Sequence, residues 1–162
     1  MNMFEILKLL AEEKVEFVLV GGLAVALQGY QRATLDVDVA LAMDPANLQR
    51  FLSVAKAAGL RPTMPVPLDS LAQPELIEQW YRDKGMLAFS VRGAETCAAV
   101  LDILVRPVVS FEDLRRDATL IDVGAIHIPV ASVVHLIVMK TDTGRSKDLI
   151  DIEELRKIQA CR

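Results

Sequence analysis

The sequence predicts a mixed α/β (α+β) fold in which helices cover a β-sheet of largely antiparallel character, and three observations carry that expectation. Short β-rich apolar runs alternate with segments of helical periodicity along the chain. Helix starts are explicit, with Asp44-Pro45, Ser110 and Ser132 each placed to cap a following segment. Two strand-like stretches, residues 85–91 and 98–105, are separated by Arg92-Gly93-Ala94-Glu95, a spacing that suits an antiparallel hairpin. With 162 residues, 52% of them hydrophobic and 25% charged, the chain suits one domain over 1–162 with a sizeable aliphatic core.

The elements follow in order. Met3, Ile6, Leu7, Leu10 and Ala11 recur at helical spacing, so the first segment reads as an amphipathic helix. Residues 16–20 form a short buried strand that Gly21-Gly22 ends, and 23–28 are helical until Gly29 closes the turn. Residues 35–42 form a second strand, with Val37, Val39 and Leu41 on one face and Asp36, Asp38 and Ala40 on the other. A helix runs from Pro45 to about Ala58, where Gly59 stops it. Pro62, Pro65 and Pro67 make 61–70 a loop, and Pro74 opens a helix to about Arg82. A short helix begins at Ser110, with Asp113 in the capping-box position, and two short strands flank Gly124. An apolar helix reaches Lys140, and a last helix over 146–158 sets Leu149, Ile152, Leu155 and Ile158 on one face.

Composition excludes several function classes. The net charge of -4 argues against a broad nucleic-acid-binding surface, although a local basic groove is compatible with it. Cys97 and Cys161 form no CxxC pair and have no histidine at ligand spacing; Cys97 is expected to pack as a small hydrophobe. No apolar run is long enough to span a membrane, and the first segment is not a signal peptide, so a soluble cytoplasmic protein is expected. His127 and His135 read as packing or surface residues, Trp80 and Tyr81 as packing residues, and no Ser-His-Asp or Cys-His set is legible.

The chemistry concentrates elsewhere. Gly21-Gly22 at a strand end leaves backbone N–H groups open to phosphate, although the pair alone is more simply a tight turn. Asp36 and Asp38 lie two apart on a strand, about 6.5–7 Å between Cα atoms and on one face. Two carboxylates on one face repel unless water or a cation intervenes, and a divalent metal carrying a nucleotide is the natural ligand beside such a turn. Asp102, inside the apolar run Ala98–Val105, is a third carboxylate; it either converges on the pair or forms a salt bridge to Arg32 or Arg92. Convergence would suit two metals about 3.5–4 Å apart that activate a hydroxyl and hold pyrophosphate. Lys140, Arg145 and Lys147 supply cations near the C-terminal end, while Asp148 and Asp151 suit the first turn of the last helix as caps.

Taken in order, Val20-Gly21-Gly22-Leu23-Ala24, Arg32-Ala33-Thr34-Leu35-Asp36-Val37-Asp38 and the ending Lys140…Gly144-Arg145-Ser146-Lys147-Asp148-Leu149-Ile150-Asp151-Ile152 resemble the polymerase-β-type nucleotidyltransferase superfamily. They are most similar to its small bacterial AbiEii-like and minimal nucleotidyltransferase groups. The resemblance implies a nucleotidyltransferase fold and a Mg2+- (or Mn2+-) dependent transfer of a nucleoside monophosphate from an NTP to a hydroxyl on RNA, protein or a small molecule. It also implies a toxin–antitoxin setting. It assigns Asp36, Asp38 and Asp102 to metal binding and catalysis, with Asp102 as general base. Gly21, Gly22 and Lys140, with Lys147 and Asp148, are assigned to the nucleotide. Gly22 stands where many superfamily members carry serine, so a hydroxyl contact to phosphate is missing. The chain also lacks the long C-terminal helical domain of larger toxin relatives, so a partner protein or a homodimer is expected to complete the acceptor site. A non-catalytic binding module of the same fold is the alternative.

Overall fold

The computed structural model describes all residues, Met1–Arg162. Its centre is a seven-stranded mixed sheet in the order β3-β4-β5-β2-β1-β7-β6. The strands are β1 (Phe17–Val20), β2 (Asp36–Leu41), β3 (Arg61–Pro62), β4 (Ala88–Arg92), β5 (Val100–Leu104), β6 (Thr119–Val123) and β7 (Ile126–Val130). Seven helices flank it: α1 (Met3–Glu12), α2 (Gly21–Leu27), α3 (Pro45–Ala57), α4 (Pro74–Lys84), α5 (Phe111–Arg116), α6 (Val133–Thr143) and α7 (Ser146–Ala160).

The antiparallel character expected from the hairpins is present in β1–β2, β3–β4, β4–β5 and β6–β7. Two pairs are parallel, β2–β5 and β1–β7, because the chain leaves the sheet through helices before returning. The β4–β5 pair is antiparallel as expected, but the connection spans 93–99 rather than a tight turn. The expected loop over 61–70 is not wholly irregular: Arg61–Pro62 adds an edge strand, where proline is tolerated, and Leu68–Ala72 forms a 3-10 turn. Gly21-Gly22 does more than end β1; the glycines form the first turn of α2.

Aliphatic side chains from both sheet faces and from α1, α3 and α5 form one continuous core, with Val18, Leu19, Val37, Val39, Leu101 and Ile103 completely enclosed. Asn47 ties the α3 start to this sheet. Its amide accepts from Glu16 N at 2.8 Å and donates to the carbonyls of Glu16 and Ala42, each at 2.9 Å. That single buried side chain therefore holds the start of β1 against the end of β2.

Two sequence expectations fail on packing. Cys97 is exposed, because it falls in the β4–β5 connection rather than in the strand. The buried face of α7 carries Asp148, Asp151, Ile152 and Leu155, while Leu149 is 63% and Ile150 56% exposed. Ile152 and Leu155 are buried as expected but Leu149 is not, because the helix buries a charged cluster beside its apolar residues. No helix is long and apolar enough to cross a membrane.

Asn47→Ala leaves Glu16 N and the Ala42 carbonyl without their partner and should lower unfolding free energy by about 1–3 kcal/mol. Urea denaturation checks this against Gln49→Ala on the outer face of α3, expected within about 0.5 kcal/mol of wild type.

Candidate active site

Strand register assembles the site in one row across the sheet. Val20 pairs with Asp38, Asp38 with Asp102, and Asp102 with Ser90. Parallel pairing of β2 and β5 places Asp38 and Asp102 side by side on one face, with Asp36 two residues earlier on β2. Asp102 accepts a hydrogen bond from the Ser90 hydroxyl, so neither Arg32 nor Arg92 is its partner. Asp36 is exposed, and the three carboxylates do not form a closed ligand set: no group of three or more Asp, Glu, His or Cys side chains is gathered for a metal ion.

Gly21 sits directly over Asp38. Its φ is +68°, and a Cβ on it would lie 2.1 Å from Asp38 Oδ2. Glycine is therefore required twice, for the left-handed backbone and for the space. Gly22 serves a different neighbour: a Cβ there would approach Thr34 Oγ1 at 3.0 Å and the Arg32 guanidinium carbon at 3.3 Å.

Burial raises the Asp38 carboxyl to about 6, and the negative charges of Asp102 and Asp36 add to the rise. Lys140 and the Gly22 backbone amide pull in the other direction without cancelling it. Carboxylate oxygens are hard donors of the kind that a divalent cation such as Mg2+ or Mn2+ takes. Asp36, Asp38 and Asp102 are the side chains that would hold it.

A cleft of about 140 Å³ opens beside Gly21 and Asp38. Lys140, Thr143 and Arg145 line its polar side, and Leu104, Leu136 and Met139 its apolar side. Lys140 is nearly buried and donates to Asp148 at 2.9 Å, with Asp151 at 2.8 Å. Asp148 is fully enclosed and also accepts from Thr143 and from Arg145 Nε, the latter at 2.7 Å. Burial opposes ionisation of Asp148, but these hydrogen bonds prevail and take it down to about 2. The first-turn capping role expected for Asp148 and Asp151 gives way to this network. Lys147 is exposed and lies outside the cleft.

Sequence reasoning missed Ser90, Thr143 as a partner of Asp148, and the pairing of Arg32 with Asp151. Each depends on register or on helix packing that no local pattern encodes. His127 pairs with exposed Asp122 on the β6–β7 hairpin, and His135 faces Asp117 at 3.6 Å, so neither reaches the cleft.

Two outcomes follow for the metal-free chain. The folded state holds a proton on Asp38 up to about pH 6, whereas the unfolded chain loses it near 3.8. Stability should therefore fall as pH rises from about 4 to 6 by about 1–3 kcal/mol, and Asp38→Asn should abolish that component. Urea unfolding in EDTA between pH 4 and 7.5 measures the slope. Gly21→Ala should lower the melting temperature by several degrees, through φ strain of roughly 1–2 kcal/mol and the displaced carboxylate.

No known family profile matches this sequence, and no curated protein matches it. Solved structures do. The lincosamide antibiotic adenylyltransferase LnuA, in its lincomycin-bound form, is similar with a TM-score of 0.61 and 20% identity, over 96% of this chain and 95% of that one. A Thermotoga maritima protein assigned as a nucleotidyltransferase is similar with a TM-score of 0.51 and 18% identity, over 100% of this chain and 97% of that one. At these identities the likeness is one of architecture: the chain has the nucleotidyltransferase fold.

Proposed function

We propose that the protein transfers a nucleoside monophosphate from an NTP to a hydroxyl acceptor, with release of pyrophosphate. The observation that carries this reading is the row Gly21–Asp38–Asp102, in which a side-chain-free turn sits on one carboxylate and the strand register sets a second beside it. Asp36, Asp38 and Asp102 would hold a divalent cation, which would neutralise charge on the triphosphate and ease ionisation of the acceptor hydroxyl. Asp102, oriented by Ser90, accepts the hydroxyl proton as the acceptor oxygen bonds to the α-phosphorus and the bond to pyrophosphate breaks. The backbone of the Gly21-Gly22 turn offers its N–H groups to the phosphate chain, and Lys140 and Arg145 line the cleft beside Gly21. Asp148 acts through Lys140 and Arg145 rather than on the nucleotide itself. Lys147 contributes at most a distant positive charge.

A small-molecule acceptor is the reading favoured over RNA or protein. The cleft has an apolar wall that suits an uncharged organic body, and LnuA, bound to lincomycin, is covered almost end to end by this chain. The AbiEii-like grouping, its toxin–antitoxin setting and completion of the acceptor site by a partner protein or second copy rest on the motifs alone. The competing reading is an NTP-binding module without turnover, which draws on the open arrangement of the three carboxylates. A chain that binds NTP with Mg2+ yet releases no pyrophosphate with any acceptor would establish it.

Pyrophosphate release from each NTP, with Mg2+ and a library of hydroxylated small molecules, tests the proposal. Asp36→Ala should abolish turnover with folding intact, and Asp102→Asn should slow it by about 10²–10⁴-fold. Unchanged turnover in both variants would remove the metal assignment.

A further inference from the structure

We propose that Arg32 binds the triphosphate beside Lys140, and that Asp151 positions the two cations for it; the inference rests on the nucleotidyl-transfer reading. Arg32 lies in the connection between α2 and β2, far in sequence from the helices it meets. Its Nη1 donates to Asp151 Oδ2 at 2.5 Å, and Lys140 Nζ lies 2.8 Å from the same oxygen. The two cationic nitrogens are therefore no more than about 5.3 Å apart, close enough to share one phosphate group.

Asp151 is almost wholly enclosed, with 3% of its side chain exposed, whereas Arg32 keeps 20% exposed. That bond to Asp151 is the only hydrogen bond Arg32 makes, and a guanidinium carries five N–H donors, so most of its fork is free. The fork lies against the turn: its carbon and Nη1 would stand 3.3 and 3.4 Å from a Cβ on Gly22. Gly22 thus leaves open the place into which Arg32 and the Thr34 hydroxyl project. Thr34 supplies a hydroxyl at the turn that residue 22 itself lacks.

A purely structural ion pair needs no free fork. A polyphosphate uses one, since a planar guanidinium meets two phosphate oxygens at once.

Calorimetric binding of the four NTPs, inorganic tripolyphosphate and a nucleoside monophosphate, all with Mg2+, tests the assignment. Arg32→Gln should weaken NTP and tripolyphosphate by about 10–100-fold while the monophosphate changes by no more than about 3-fold. Asp151→Asn should weaken the polyphosphates in the same sense. If Arg32→Gln fails to fold, Arg32→Lys keeps a cation for Asp151 without the planar fork, and the triphosphate-to-monophosphate affinity ratio should still drop. An unchanged ratio in a folded variant overturns the role of Arg32 alone. Wild-type protein that binds neither NTP nor tripolyphosphate overturns the nucleotide reading and this inference with it.

Discussion

Repulsion between Asp38 and Asp102, fixed side by side by the parallel pairing of β2 and β5, is the constraint on which the rest of the structure depends. The strands cannot slip to relieve it. A shift of one residue would turn Val37 and Val39, which are completely enclosed, out of the core and into the cleft. The sheet therefore holds two like charges together with the full strength of its packing. The surroundings answer with positive potential: the Gly22 amide, the Lys140 ammonium and, on the nucleotide-transfer reading, a divalent cation.

Lys140 can serve this purpose only if it is held, because a flexible ammonium would otherwise seek water. The chain holds it by burying Asp148 and Asp151 on α7 and leaving Leu149 and Ile150 outside. Such an exchange of apolar for charged burial is unfavourable unless every buried oxygen finds a partner. Here Thr143, Arg145, Arg32 and Lys140 provide those partners, so the α2–β2 connection meets the α6–α7 junction at one cluster.

Much of this was legible in the residues. The strand carrying Asp36 and Asp38, the caps at Asp44, Ser110 and Ser132, and the antiparallel β4–β5 pair follow from local chemistry that the fold does not override. The mixed α/β architecture follows from their sum, and LnuA shares it. Less legible were features set by register and long-range packing. Ser90 reaches Asp102 only because β4 pairs with β5 at that register, and Arg32 meets Asp151 across 119 positions of sequence. Periodicity places Ile152 and Leu155 on the buried face of α7 but not Asp148 and Asp151, because it counts only apolar residues. Cys97 is exposed rather than packed because no element covers the β4–β5 connection in which it lies.

The account turns on whether the Asp38–Asp102 row is a cation site, and direct metal binding tests that more closely than any activity. Mn2+ binding followed by electron paramagnetic resonance, with a non-hydrolysable NTP analogue present, compares wild type with Asp38→Asn and Asp102→Asn. The account predicts bound Mn2+ in the wild-type protein and at least about a tenfold loss of affinity in each variant, since each removes one ligand charge. Equal Mn2+ affinity in all three proteins would contradict it.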